Sequence, residues 1–407
     1  LFPGKVHPMT RIYLDHSATT PVHPLVADAM FPYFTQIFGN ASSSHGYGRD
    51  ADCALDESRR VIARVLNCEP DEVIFTSGGS ESDNLAVRGA AWDAKARGAG
   101  NHLVTTAIEH GAIGATVAQL AALHGFERTV LPVDRAGRVS VADFERACRP
   151  GTAFASVMYA NNEVGTIQFI AALAAIARER GIVFHTDAVQ AAGQLPLDVQ
   201  ALGVDLLSLS AHKFYGPKGV GALYVRRGTN LVTAQTGGSQ EHGLRAGTYN
   251  TPLIVGMAKA LELAYRDFDS RTAHYTALRE RLIEGILASI PQARLTGHPT
   301  NRLAAHASFV FEGLSAGFLL DSLDARGIAA SAASACKAGK AEPSGVLLAL
   351  GYSPEVALTS LRLTVGLHTT FAEIDTTIDA LAEIVSKLAR FNVPTRTPQT
   401  ASATLAV

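Results

Sequence analysis

Cysteine is scarce in this chain: four residues among 407, at Cys53, Cys68, Cys148 and Cys336, with no C-x-x-C pair. That spacing argues against a clustered metal site and against a disulfide framework, so no metal and a cytoplasmic location are expected. A surplus of charge is missing as well. The 35 Lys and Arg nearly balance the 37 Asp and Glu, for a net charge of −2. Neither nucleic acid nor an anionic membrane surface is therefore an expected partner. No unbroken apolar run is long enough to span a bilayer, and no signal-peptide pattern opens the sequence. Met9 reads as a native start, with residues 1–8 an extension ahead of it. With 47% hydrophobic and 18% charged residues, the profile is that of a soluble globular enzyme, long enough for two domains.

From about Asp71 to Val225 strand-like and helix-like segments alternate. Strands are expected at Val73–Thr76, His102–Thr105, Ala153–Tyr159, Ile182–His185 and Val204–Ser210. Helices are expected at Ser82–Trp92, Gly111–His124 and Ile170–Glu179. Such alternation predicts an α/β fold with a mostly parallel sheet flanked by helices. After Leu261 the pattern changes to a helix over Ala273–Ile290, a strand at Ala307–Phe311, and a helix over Ala316–Arg326. In the last helix Ile374, Ile378, Leu381, Ile384, Val385 and Leu388 share one face. The expected division is an N-terminal arm over 1–20, a large domain over 21–262, a smaller α+β domain over 263–393, and a flexible tail over 394–407.

Three features carry chemistry. Ser210-Ala211-His212-Lys213 ends an apolar strand just before the turn formers Tyr215-Gly216-Pro217. A lysine at the carboxyl end of a buried strand loses solvation, which favours the neutral, nucleophilic amine suited to Schiff-base chemistry. Thr76-Ser77-Gly78-Gly79-Ser80-Glu81-Ser82 joins a strand to a helix, a place where small residues let an anion approach the helix start. Asp187 closes another strand, with Gln190 just beyond it. A buried carboxylate there needs a cation, and a protonated pyridine nitrogen is one. In that chain order, phosphate loop, aspartate and lysine together specify pyridoxal 5′-phosphate.

The sequence closely resembles the cysteine desulfurases of the NifS/IscS kind, in the class V aminotransferase superfamily of fold-type-I pyridoxal enzymes. The matching pieces begin with Tyr13 through Pro21, Phe38-Gly39-Asn40, Ser44-His45, and Thr76 through Asn84. They continue through Glu109-His110, Asn161 through Gly165, His185 through Gln190, and Ser210 through Tyr224. Arg245-Ala246-Gly247-Thr248, Ser334-Ala335-Cys336 and Leu361-Arg362-Leu363 complete the series, over roughly residues 12 to 390.

The resemblance implies that the large domain binds pyridoxal phosphate. Lys213 holds it covalently, Asp187 pairs with the ring nitrogen, Gln190 bonds the phenolic oxygen, and His110 stacks on the ring and helps move protons. Gly79, Ser80 and the stretch Ser210, Ala211 and His212 form the phosphate side, with Ser80 standing where the family usually has threonine. Thr248 reaches the same phosphate from the second subunit of a homodimer. Asn162, beside the ring, and Arg362 engage the carboxylate of L-cysteine. Cys336, in a small-residue segment that predicts a mobile loop, takes the sulfur as a persulfide and delivers it to an acceptor protein. L-Alanine is left behind. The acceptor's pathway stays open among iron–sulfur cluster assembly, transfer-RNA thiolation and DNA phosphorothioation. Also open are a selenocysteine lyase, a cysteine sulfinate desulfinase, a cystine or cysteine C–S lyase, and a catalytically silent scaffold.

Overall fold

The computed structural model describes residues 11–332 and 342–391. Residues 1–8, Cys336 with its expected loop, and the tail over 394–407 lie outside the described residues. A short strand, β1 (Ile12–Tyr13), comes first. Seven strands then build one sheet: β2 (Val73–Thr76), β3 (His102–Thr106), β4 (Glu127–Leu131), β5 (Thr152–Ser156), β6 (Val183–Asp187), β7 (Leu206–Ser210) and β8 (Gly221–Val225). Their spatial order is β2-β8-β7-β6-β5-β3-β4. Strands β3 to β7 run parallel to one another, and β8 is antiparallel to both β7 and β2.

Helices cover both faces, so β2, β3, β5 and β7 are buried at every position. This is why they read as apolar runs rather than as alternating ones. Leu207 and Leu209 pack into one apolar cluster and Leu206 into another on the opposite face. At Gly221 a side chain could not fit, since a Cβ would lie 2.5 Å from the Leu209 carbonyl oxygen and 2.7 Å from Gly78 C. That close approach brings the phosphate-loop candidate against the end of β7.

Several expected boundaries move: the helix expected from Ala273 begins at Phe268, the strand expected from Val204 begins at Leu206, and two further shifts bear on the site. The helix expected from Ser82 begins at Gly79, so its first turn includes Gly79 and Ser80. The strand expected to run to Tyr159 stops at Ser156. Beyond it Val157 and Tyr159 donate to the His185 and Asp187 carbonyls, drawing the chain along β6.

After helix Thr251–Arg266 the chain turns at Asp267 into helix Phe268–Ser289. It then forms a second, antiparallel sheet, β12-β10-β9, from β9 (Ala293–Leu295), β10 (His306–Phe311) and β12 (Ser360–Thr364). In between, β11 (Ile328–Ala329) pairs in parallel with β1. Here the period of two is visible. Ala307, Phe309, Phe311, Leu361 and Leu363 pack on Leu278 and Leu282 and on Ile374, Ile378 and Leu381 of helix Phe371–Phe391. Of the alternate positions, His306, Ser308, Ser360, Arg362 and Thr364 are polar and Val310 is apolar, and all are equally buried. No helix among the described residues is long and apolar enough to cross a membrane.

Candidate active site

The carboxyl ends of parallel strands point to one side of the sheet, where ligands of open α/β sheets bind. Here β6 delivers Asp187 and β7 delivers Ser210, followed by a single tight turn, Ala211–Lys213. Past β3 the chain reaches His110, whose Nδ1 accepts from the Ala112 amide at 3.2 Å and caps helix Gly111–His124. From the second sheet β12 contributes Arg362.

These pieces surround a cavity of about 320 Å³. Lys213, Asp187, His110, Gln190, Asn162 and Arg362 all line it. So do Gly79, Ser80, Ser210 and His212, on the side where the helix over Gly79–Ala96 begins. Ala211 is fully buried in the core and does not line the cavity; its part in the turn is to pack. Thr248 is exposed and does not line it either.

The Lys213 amine donates to the backbone carbonyls of Ser17 and Ala18, the latter at 2.8 Å. Burial lowers its pKa to about 8, helped by the Arg362 charge and opposed by Asp15 and Asp187. Near neutral pH the amine is thus much nearer its nucleophilic form than a surface lysine. Beside it, burial and the Lys213 charge push His212 down to about 4, so this imidazole is neutral. Asp187 is buried and accepts from the Val189 amide at 2.9 Å. Burial raises its pKa, while the Val189 N–H, His110 and Lys213 pull the other way. No cation stands within ion-pair distance of it among the described residues.

Arg362 Nη2 meets Asp15 at 2.8 Å, and Nη1 donates to the Asn162 carbonyl at 3.0 Å. Its Nε is buried with no partner. Ser17 also accepts, through its carbonyl, from Gln190 Nε2 at 3.0 Å. The stretch Asp15–Ala18 therefore touches Arg362, Gln190 and Lys213 at once.

Sequence reasoning passed over Asp15, Ser17 and Ala18 as individual site residues, and also Asp83, Met158 and Val189. Helical spacing held a signal for Asp83, one turn beyond Gly79 and hence on its face. Glu109 was also missed as a charged neighbour. Its Oε1 accepts from the Met158 amide at 2.9 Å and from Thr106 Oγ1 at 2.7 Å. Loss of solvation around this partly buried side chain lifts its pKa to about 8.

A family profile described as Aminotransferase class-V matches residues 12–377. "Cysteine desulfurase IscS" of Methanosarcina thermophila is 47% identical over 377 residues, covering 93% of this chain and 92% of the relative. A solved "NifS-like protein" superposes with a TM-score of 0.87 at 34% identity, over 93% of this chain and 100% of that one. Another, titled "SspA in complex with cysteine", gives a TM-score of 0.78 at 36% identity, over 88% of this chain and 99% of that one.

Proposed function

We propose, for a chain that belongs to the class-V aminotransferase family and to its cysteine desulfurases, that the cavity binds pyridoxal 5′-phosphate and converts L-cysteine to L-alanine with a persulfide on Cys336. The observation that carries this reading is the meeting of Lys213, Asp187, His110 and Arg362 around one cavity at the strand ends.

The residues fit the cofactor. Asp187 is a buried carboxylate without a cation in reach, which a pyridinium nitrogen would supply. Lys213 offers a desolvated amine, Gln190 a side-chain amide, and His110 a ring on the cavity wall. Gly79, Ser80, Ser210 and His212 stand where the phosphate would sit, at the start of a helix. When bound, the cofactor supplies an aldehyde for amines and an electron sink for charge at the substrate α-carbon.

The remaining chemistry is done by the chain. Arg362 and Asn162 hold the substrate carboxylate, and the fixed guanidinium orients the α-carbon toward Lys213. Lys213 Nζ takes the α-proton, and the Ser17 and Ala18 carbonyls hold the resulting ammonium in place. Asp187 keeps its negative charge facing the ring. The Cys336 thiolate forms a bond to the substrate sulfur as the carbon–sulfur bond breaks. The β-carbon keeps that electron pair and is protonated, and Lys213 returns a proton to the α-carbon, which gives L-alanine.

A homodimer is part of the proposal. It is supported by the exposed Thr248, available to a second subunit's phosphate, and by the exposed rings of Phe31, Phe34, Phe38 and Tyr47. Sulfur then passes to an acceptor protein, in the cytoplasm. The large and small domains are read as meeting at Asp267, slightly past the expected 262/263 division, because Leu261 and Leu263 still belong to the larger core.

Mass spectrometry of Cys336 after exposure to L-cysteine, with alanine assayed in the same tube, tests the reaction. The expected result is one added sulfur on Cys336 with matching alanine, both lost in Cys336→Ser. Alanine or free sulfide released undiminished by Cys336→Ser would make the protein a lyase instead.

A further inference from the structure

Asp83 has no role in the reaction described above, yet it lines the cavity at 1% exposure with its Oδ1 unpartnered. It sits on helix Gly79–Ala96, one turn beyond the residues assigned to the phosphate. One of its carboxylate oxygens, one of Asp187 and a ring nitrogen of His110 lie within 4.8 Å of one another. Two carboxylates that close in a dry interior do not both ionise.

We infer that Asp83 is a positioning residue for Asp187: a neutral carboxyl behind it that leaves Asp187 as the one ionised member of a buried pair. The inference rests on the cofactor reading, since Asp187 needs its charge only if a ring nitrogen is to be held protonated.

The surroundings decide which member keeps the proton. Asp187 has the Val189 N–H at 2.9 Å and faces His110 and Lys213. Asp83 Oδ1 has no donor. The base nearest it is His185, with Nε2 at 3.7 Å. That ring is wholly buried, and its two nitrogens already pair with Ser156 Oγ and Ser208 Oγ, both at 2.9 Å. Burial holds His185 down to about 3, so it provides no cation. Glu109, the third carboxyl nearby, adds no positive charge either. In agreement, burial first and the Asp187 charge second lift Asp83 well above the ordinary carboxylate range, with Ser208 opposing. A neutral Asp83 retains an O–H to donate, and no nearer base among the described residues takes its proton.

The test compares wild type, D83N and D83A by titration with pyridoxal 5′-phosphate, by infrared spectroscopy of the cofactor-free protein at neutral pH, and by thermal melting. Loss of one buried hydrogen-bonding group weakens binding about tenfold in D83A, and the amide of D83N restores most of that. A protonated-carboxyl band present in wild type and reduced in D83N is expected alongside. Should D83N bind as weakly as D83A, or the infrared band be identical in both, Asp83 is ionised and the inference fails. It also fails if D83A melts earlier but binds cofactor like wild type, which is a purely structural role. If D83A does not fold, the D83N comparison decides. A wild type that takes up no cofactor would overturn the cofactor reading instead, and the infrared band would still report on Asp83.

Discussion

The two sheets place their polar groups differently. In the seven-stranded sheet both faces pack on apolar clusters, and buried polar residues such as His185 and Ser208 pair within the sheet. The cavity-lining groups stand at the strand ends, as at Asp187 and at Ser210–Lys213. In the three-stranded sheet the strand interiors are divided by face. Leu361 and Leu363 point into a helix-covered core, while Ser360, Arg362 and Thr364 form a buried polar side. An end can gather loops from several strands, so it suits a cofactor that must be touched on many sides. A face offers rigid spacing instead, which suits one well-fixed arginine. Both arrangements leave polar atoms unpaired. Asp83 Oδ1 and Glu109 Oε2 are unpaired near the strand ends, and Arg362 Nε, Ser308 Oγ and Ser360 Oγ on the polar face. Unsatisfied buried groups cost free energy, and of these residues Asp83 and Arg362 line the cavity, where a ligand would satisfy them.

If strand ends carry the chemistry, Lys213→Ala is the most damaging change. Alanine formation should fall by ~10³-fold or more, and absorbance should show cofactor no longer bound as an imine. An activity loss below tenfold would break the contrast at its strongest point.

Next comes the pH dependence of Glu109, also at the strand-end side. Its pKa is about 8 in the folded chain, against roughly 4.3 unfolded. The folded state therefore binds the proton more tightly. The relative stability this confers is complete below about pH 4 and is lost as pH rises through about 8. Glu109→Gln keeps the shape without the titration, so its stability relative to wild type should improve from pH 5 to pH 9, by on the order of 3 kcal/mol. Denaturant midpoints at the two pH values measure it, and a difference that does not change with pH would refute it.

On the other sheet Leu363→Ala should cost about 3 kcal/mol of stability through the cavity it leaves. It should have little effect on the KM for L-cysteine in the protein that remains folded. A large KM change would mean that the two faces of β12 are not independent. The smallest effect is expected from Arg362→Lys, which keeps the charge but loses the planar fork. The KM should rise roughly 10- to 30-fold, from one lost charge-assisted bond, with kcat changed less. Steady-state kinetics with L-cysteine separate the two.

The same contrast explains what could be read before the structure. Lys213 and Asp187 stand where apolar runs give way to turns, and a run with its stop signal is local information. The boundaries at Gly79 and Ser156 moved because a phosphate-loop turn and a chain drawn along β6 are set by tertiary partners rather than by propensity. Arg362 alternates with leucines on a strand, and nothing local tells its face from a solvent-facing one. Only the resemblance singled it out. Asp15 was beyond reach, because its partner lies 347 residues away. Asp83 could have been found, had the helix been started at Gly79.

The thread of chain from Ile12 to Thr20 has a consequence for biosynthesis. It leaves the ribosome well ahead of its neighbours His212, Ala329 and Thr364. Growing chains generally fold domain by domain from the N-terminus. Tyr13 to Thr20 must wait for Lys213 and then for Thr364 before their contacts are complete. The pocket thus joins a segment to partners that are made long after it.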